Sequence, residues 1–357
     1  MHTLPTPSQP ERNDTPSALV LGARGAVGRS VVAELRSLGV DVTAAGRTAP
    51  DPQGLAIDLR APSGFAALRE AAPRFDVVIN ATGIEDPRLL SATPDTILVD
   101  ISATAAYLDE CTAAFARPDS GAHGPHGLVL GVGIAPGLST LLVEALDSTP
   151  GDEIDVAIML GGGEAHGPAA VEWTACLAGK PLYLPGDADS HPGGSAPVLN
   201  FQDSLQVAEP RGTRRYLRAD FPDQLLVGAP RQMLVRSWLA TDSRLSTAAL
   251  GLVGRFPALR SLVSRAPHLG STGWRITARN RRTGQTLRAD GDGQSRTTGV
   301  LTAHAGLAAA KHQLRGAATT AQLMSLAEVD GLAGLRIAAP STAPKSAAPE
   351  TTATLNA

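Results

Sequence analysis

Short apolar runs alternate with segments of helical periodicity over the first 150 residues of the chain. Runs typical of strands cover residues 17–21, 40–45, 55–59, 75–80, 97–101 and 128–131. Segments whose apolar residues recur at helical spacing lie between most of these runs. In the first such segment, Val27, Val31 and Leu35 form one apolar stripe. Strands that are apolar on both faces are typical of a parallel sheet covered by helices. The pattern therefore predicts an α/β fold with a doubly wound parallel sheet.

The pattern changes after residue 150. A strand-like run at 154–160 and a helical segment at 168–178 are followed by extended runs at 197–202, 213–218, 232–240, 273–280 and 286–289. Helical segments near 243–263 interrupt these runs, and a last helical pattern covers about 298–314. Successive strands with few helices between them indicate a second, α+β domain with a mostly antiparallel sheet. Residues 1–16 and 335–357 are rich in Pro, Ser, Thr or Ala, so we predict a disordered leader and a disordered tail.

Composition excludes several classes of function. The chain has 357 residues, 31 Lys+Arg against 34 Asp+Glu, and a net charge of −3, which argues against a nucleic-acid partner. The longest stretch without a charged residue, 120–143, contains six glycines and two prolines and is unsuited to a lipid-facing helix. Two cysteines form no disulfide framework. We expect a soluble cytoplasmic protein with neither a membrane nor a nucleic-acid partner.

A glycine motif joins the first predicted strand to the first predicted helix. The sequence LGARGAVG at 21–28 has the spacing G-x-x-G-x-x-G. Glycines permit a tight turn and a close approach of the backbone to a pyrophosphate, while the helix N-terminus offers unpaired N–H groups to the anion. The strand before and the helix after make the motif specific for a dinucleotide. We expect contacts from Gly22, Arg24, Gly25, Ala26, Val27 and Gly28.

The residue at the end of the second predicted strand distinguishes an NADP site from an NAD site. An NAD site usually has an acid there for the ribose 2′-OH, whereas this chain has Arg47. A guanidinium binds a 2′-phosphate in a bidentate pair, and a charge-assisted bond contributes about 1.5–3 kcal/mol, or roughly one to two decades of preference. A solvated surface cation is the alternative for Arg47. We therefore predict NADPH as the cofactor, with further contacts from Ala81, Thr82 and Gly83. Asp58 is expected to accept the adenine amino group, with an ordinary loop aspartate as the near-equal alternative.

These motifs resemble the saccharopine dehydrogenase-like (saccharopine reductase) NADP-binding family. The similar segments are VLGARGAVG at 20–28, GR at 46–47, DVVINATG at 76–83, VDISA at 99–103 and GVGIAPGLST at 131–140. The resemblance implies an NADP-binding Rossmann domain over 17–150, a substrate and dimerisation domain over 151–297, and a segment over 298–334 that returns to the first domain. It also implies NAD(P)-dependent reduction of imine-type bonds, or of enoyl bonds on lipids in related sequences, and a homodimer.

The residues required by other classes of enzyme are absent from the sequence. The Tyr-x-x-x-Lys pair of short-chain dehydrogenases is absent, because Cys111, Asp187 and Asp220 stand four residues after the three tyrosines. No Gly-x-Ser-x-Gly segment occurs, and the cysteines and histidines do not form a zinc-ligand pattern.

A reductase needs a proton donor beside the nicotinamide. The segment GGGEAHGP at 161–168 follows the first strand of the second domain, where an interdomain cleft is expected. Glu164 and His166 alternate there and can act as an acid and its orienting partner; an ordinary glycine-rich turn with a solvated Glu and His is the equal alternative. Tyr107 is a third candidate donor. Candidate substrate contacts are Trp173 as a pocket wall and Arg296 as a ligand of a substrate carboxylate or of the cofactor phosphate, with a solvated loop cation as the equal alternative for Arg296. His304 is a further candidate, for which a packing role is the stronger alternative.

The sequence thus predicts an NADPH-dependent reductase of an imine or iminium bond in a small-molecule metabolite. Enoyl reduction on a lipophilic substrate is the alternative within enzymes, and a non-catalytic NADPH-binding regulatory module is the alternative outside them.

Overall fold

The computed structural model describes residues 15–117, 124–164, 174, 176–183, 197–209, 212–259 and 270–342. Most of the predicted leader, the predicted helix at 168–178 except its end, and residues 343–357 of the predicted tail lie outside the described residues.

The first domain contains a sheet of seven parallel strands. Its strands are β1 (Ser17–Leu21), β2 (Asp41–Gly46), β3 (Leu55–Ala56), β4 (Val77–Asn80), β5 (Ile97–Asp100), β6 (Gly127–Leu130) and β13 (Gly316–Thr319), in the spatial order β13-β6-β5-β4-β1-β2-β3. The order reverses between β1 and β4, so a crevice opens at the carboxyl ends of these two strands. The predicted doubly wound sheet is confirmed, and β13 is a strand that the apolar pattern did not reveal.

Helices cover both faces of this sheet because consecutive strand residues alternate between two apolar layers. The helices are α1 (Ala26–Ser37), α2 (Gly64–Ala71), α3 (Arg88–Ala92), α4 (Ala105–Phe115), α5 (Ser139–Glu144) and α7 (Gln294–Lys311). Val20 and Ile79 pack with Val31 and Leu35 of α1 in one layer. Leu19, Val78 and Leu98 pack with side chains of α2, α3 and α4 in the other layer, namely Leu68, Leu89 and Leu108.

The second domain contains a mixed sheet, also of seven strands. Its strands are β7 (Glu153–Leu160), β8 (Ser204–Glu209), β9 (Gly212–Arg218), β10 (Leu234–Thr241), β11 (Gly273–Asn280), β12 (Gln285–Asp292) and β14 (Arg336–Thr342), in the order β14-β12-β11-β7-β10-β9-β8. β7 and β10 pair in parallel, and the other five pairings are antiparallel. Helix α6 (Arg244–Arg255) packs on β9 and β10. The predicted α+β domain is confirmed.

Two expectations about elements are corrected. The extended run at 197–202 forms a single bridge, Pro181 to Leu199, and the strand begins later, at Ser204. The tail predicted from 335 instead begins with β14, which pairs with β12 at the edge of the second sheet. Its Ala, Pro and Ser residues lack an apolar pattern, because an exposed edge strand does not need one. Short helices α8 (Thr320–Leu323) and α9 (Leu326–Val329) connect β13 to this strand.

The two domains share contacts through α5 and α7. Helix α7 lies along α1, where a Cβ on Gly299 would be 2.5 Å from Ser30 Cβ. Asp223 of the second domain is 0% exposed, and its carboxylate accepts hydrogen bonds from Ser139 Oγ at 2.6 Å and Ser237 Oγ at 2.8 Å. Because Ser139 begins α5 and Ser237 lies in β10, this carboxylate joins the domains. In the described part of the chain, no helix combines the length and apolar character needed to cross a membrane.

Candidate cofactor site at the edge of the parallel sheet

The glycine motif forms a tight junction between β1, α1 and the turn after β4. A Cβ on Gly28 would lie 2.2 Å from the carbonyl oxygen of Gly22, and a Cβ on Gly22 would lie 2.5 Å from that of Ala81. Gly22 also has a φ of +76°, which favours glycine. These contacts explain why the turn needs glycines even before a ligand is considered.

The N-terminus of α1 is free to receive an anion. Gly25 is its N-cap and makes no side-chain capping bond, and the first turn carries no acidic residue. The first N–H groups of a helix lack intrahelical acceptors, and the helix dipole adds positive potential. The junction therefore has the geometry of a phosphate site.

The two arginines beside this junction differ in their partners. Arg24 donates to Thr48 Oγ1 at 2.7 Å and to the Ala49 carbonyl at 2.9 Å, so it braces the turn that follows β2. Arg47 is exposed, and among the described residues no acceptor binds its guanidinium. Of the two, Arg47 is the one whose hydrogen-bonding capacity remains for a ligand.

A second wall of the crevice is the turn after β4. Thr82 donates from its backbone N and its hydroxyl to Asn80 Oδ1, at 3.2 and 2.6 Å. The N–H of Ile84 donates to Thr82 Oγ1 at 3.0 Å, and that of Ala81 donates to the Leu21 carbonyl at 3.0 Å. Gly83 completes the turn with a φ of +72°. The predicted contacts Ala81, Thr82 and Gly83 thus lie next to the glycine motif.

Asp58 follows β3 and is half-buried. Its Oδ1 accepts the N–H of Arg60 at 3.1 Å, which closes a local turn. The structure therefore gives this carboxylate a structural partner, and its predicted contact with adenine stays a prediction.

Glu164 caps a helix. Its carboxylate accepts the backbone N–H of Gln294 at 2.5 Å and that of Ser295 at 2.9 Å, at the start of α7. The side chain of Gln294 donates in turn to the Gly161 carbonyl at 2.8 Å. These bonds hold the segment after β7 against α7 and occupy both oxygens of the predicted acid. His166 and Trp173 lie outside the described residues.

The hydroxyl of Tyr107 is held by a buried carboxylate. It donates to Asp100 Oδ2 at 2.8 Å, and the side chain is 6% exposed. Burial and the nearby Asp100 raise the pKa of Tyr107 far above its usual range. This arrangement disfavours the predicted role as a proton donor, because deprotonation would place a second negative charge beside Asp100 in a dry environment.

The two candidates on α7 have different surroundings. Arg296 is exposed in the first turn of α7 without a partner among the described residues. Thr298 of the same turn contacts the loop after β6, since a Cβ on Gly133 would be 2.9 Å from Thr298 Cγ2. His304 is ten residues beyond the start of α7, about 15 Å at 1.5 Å per residue, and its Nε2 is 2.9 Å from Glu34 Oε1 of α1. His304 is thus a packing histidine between helices, which corrects its assignment to the substrate site.

The side chains of Asn80 and Asp100, which hold the turn beside the crevice, received no role from sequence reasoning. Asn80 Nδ2 lies 3.0 Å from Asp100 Oδ2, and the two residues pair across the ends of β4 and β5. The available signal was the polar residue that ends each of two adjacent buried strands, in VVIN and ILVD.

A family model, the NAD-dependent epimerase/dehydratase family, matches residues 18–117. No curated protein matches the chain. Among solved structures, a six-substitution mutant of meso-dapdh with DAP from Clostridium tetani E88 is 12% identical, with a TM-score of 0.48 over 88% of this chain and 96% of that one. Apo saccharopine dehydrogenase (L-Glu forming) from Saccharomyces cerevisiae is 11% identical, with a TM-score of 0.48 over 85% and 94%. Dipicolinate-bound dihydrodipicolinate reductase from Paenisporosarcina sp. TG-14 is 11% identical, with a TM-score of 0.35 over 85% and 97%. The function of this chain has to be argued from its own site.

Proposed function

We propose that the protein is an NADPH-dependent reductase that transfers hydride to an imine or iminium bond of a small-molecule metabolite. The observation that carries the cofactor assignment is the unpartnered, exposed guanidinium of Arg47 beside an uncapped helix N-terminus. Bound NADPH would supply the hydride, and the protein would supply binding and orientation.

The residues present fit this cofactor by charge and by space. The first turn of α1 has no acidic side chain to repel a pyrophosphate, and its N–H groups favour an anion. No carboxylate stands at the end of β2, where a ribose 2′-OH would be bound, and Arg47 follows that strand directly. A guanidinium there pairs with a 2′-phosphate, which NADH lacks.

The choice of a C=N bond is supported by the sequence resemblance, above all by the segment at 131–140. In the structure this segment lies beside the start of α7, on the side of the second domain. We propose that Arg296, which is exposed in the first turn of α7, orients an anionic group of a substrate. His166 and Trp173 remain the proposed donor and pocket wall.

Titration with NADPH and NADH, followed by nicotinamide fluorescence, tests the cofactor. Arg47→Ala should weaken NADPH binding about 10- to 100-fold, because it removes a charge-assisted pair worth roughly 1.5–3 kcal/mol. NADH binding should stay within about twofold, since NADH has no 2′-phosphate for the guanidinium to bind. Arg69→Ala, an exposed arginine on α2, is the matched control and should change neither affinity.

Equal losses for both nucleotides would remove Arg47 from the 2′-phosphate site. Failure of the unaltered protein to bind either nucleotide would contradict the proposed function itself.

We also propose that the protein is a homodimer that pairs through the second sheet. The outer face of that sheet carries charges of both signs, such as Arg236 with Glu153 at 2.7 Å and Arg288 with Asp290 at 2.7 Å. A two-fold interface places one patch against its own copy, and a patch that carries charges of both signs can pair with its copy.

A further inference from the structure

We propose that Asp100 is a positioning residue that fixes the turns after β4 and β5, the first of which forms a wall of the proposed cofactor crevice. This inference rests on the proposed binding of NADPH and concerns a residue that does not itself reach the cofactor.

Three donors from three different elements converge on the Asp100 carboxylate, which is 1% exposed. Oδ2 accepts from Asn80 Nδ2 at 3.0 Å and from the Tyr107 hydroxyl at 2.8 Å. Oδ1 accepts from the backbone N–H of Ser102 at 2.8 Å. One side chain thus connects β4, the loop after β5 and helix α4.

Through its bond to Asn80, Asp100 also fixes the turn beside the glycine motif. Asn80 Nδ2 also donates to the Ile84 carbonyl at 3.0 Å, while its Oδ1 accepts both donors of Thr82. Rotation of the Asn80 amide would lose all of these bonds. Since Ala81 of the same turn lies against Gly22, the orientation of Asn80 sets one wall of the proposed cofactor crevice.

The chemistry at this position calls for a carboxylate in particular. Burial raises the pKa of Asp100, and the hydrogen bonds from Ser102, Asn80 and Tyr107 oppose that rise. A buried acid is costly, and apolar side chains of similar volume would serve packing as well. Only a carboxylate, whose two oxygens both accept hydrogen bonds, satisfies the Ser102 N–H on one side and the Asn80 and Tyr107 donors on the other. What the carboxylate provides is therefore the fixed geometry of the two turns.

Replacement of Asp100 by the isosteric Asn should weaken the hydrogen bonds to one turn and keep the bond to the other. In Asp100→Asn, one oxygen becomes an NH2 group, which must face either Ser102 N–H or Asn80 Nδ2. Facing Asn80 is favoured, because the Tyr107 hydroxyl can rotate and accept there, whereas the Ser102 N–H can only donate. The turn at 81–84 should then loosen while the Ser102 bond persists.

The experiment compares Asp100→Asn and Tyr107→Phe with the control Thr93→Val. Thr93 is fully buried near the same sheet, and its hydroxyl donates to the Leu89 carbonyl at 2.8 Å without contacting either turn. Three quantities are measured: the NADPH dissociation constant, the midpoint of thermal unfolding, and amide hydrogen exchange at Thr82, Ile84 and Ser102 in the free protein.

We expect the NADPH dissociation constant to rise about tenfold in Asp100→Asn and about threefold in Tyr107→Phe, as for the loss of buried hydrogen bonds to a charged group. Exchange should accelerate at Thr82 and Ile84, and at Ser102 it should remain slow in Asp100→Asn. Thr93→Val should lower the unfolding midpoint without changing NADPH affinity or exchange in the turns.

Unchanged NADPH affinity and unchanged exchange in both variants would overturn the inference, even if their stability falls. Should Asp100→Asn fail to fold, Tyr107→Phe decides, since it keeps the ring and removes only the hydroxyl. If the unaltered protein binds neither nucleotide, the proposed function fails and the cofactor-related role of Asp100 fails with it. If the unaltered protein binds NADPH and the variants change neither this affinity nor the exchange in the turns, the inference fails and the proposed function stands.

Discussion

Asp220 is a carboxylate whose surroundings oppose its charge. It follows β9, and burial raises its pKa to about 6, although the N–H of Tyr183 at 3.1 Å and the nearby Arg218 act in the opposite direction. The folded protein therefore binds this proton more tightly than the unfolded chain does between pH 3.8 and about 6. Its contribution to stability is fully present below that window and is lost as the pH rises through it.

Asp220→Asn should consequently stabilise the protein at pH 7.5 by about 1–2 kcal/mol, because it removes a desolvated charge. At pH 4 the gain should nearly vanish, since Asp220 is then protonated in the folded state. Urea unfolding at both pH values measures this, with the exposed Asp41→Asn as control. An equal gain at both pH values would show that Asp220 carries no such proton.

At the residue scale, the sequence predicts which positions are polar at strand ends but not what they contact. The glycine motif and Arg47 could be assigned because strand, turn and helix are neighbours in sequence. Glu164 could not, since its partners Gln294 and Ser295 are 130 residues away along the chain. His304 and its partner Glu34 are also far apart along the chain, separated by 270 residues.

At the element scale, apolar runs identified the central strands of both sheets and the edge strand β3, and they missed the edge strands β8, β13 and β14. β1, β4 and β5 are buried on both faces and must be apolar. β13 has the sequence GAAT and β14 has RIAAPST, neither of which shows strand periodicity. These strands form because a completed sheet edge offers its N–H and C=O groups for pairing, a property of the folded molecule and not of the local sequence.

Truncation separates the roles of these two strands. A chain ending at residue 335 loses β14 and should remain folded, with a modest loss of stability, because most described β14 residues are exposed. A chain ending at residue 314 also loses β13, α8 and α9, with the buried Met324, Val329 and Leu335. It exposes the edge of β6 and should aggregate. Solubility and thermal unfolding measure the difference, and equal behaviour of both truncations would contradict this account.

At the scale of the whole molecule, the two domains share one continuous apolar core. Ile154, Val156 and Ile158 of β7 belong to the same cluster as Leu138 and Leu142 beside the first sheet. The buried Asp223 adds a polar link between α5 and β10. The two fold classes could be predicted from sequence, whereas this junction could not, because its partners come from segments with no shared pattern.

The proposed homodimer should have twice the chain mass of 36.6 kDa in light scattering. Arg279 is exposed in β11 opposite Asp155, on the outer face of the second sheet. Arg279→Glu should shift the protein toward the monomer, because it breaks the charge pattern that a two-fold contact repeats. Arg255→Glu, exposed at the end of α6, is the control. A monomeric mass for the unaltered protein would contradict the proposal.

The late position of β13 in the chain matters for synthesis on the ribosome. β6 ends at Leu130, and its partner β13 begins at Gly316, after every strand of the second domain except β14. At roughly 5–20 residues per second, the nascent first domain waits on the order of 10–40 s with one sheet edge unpaired. During that interval the growing chain presents a bare strand to its neighbours on the same polysome. Folding in the cell is then tied to translation speed and to chaperones that shield this edge, even though the finished molecule leaves β6 fully enclosed.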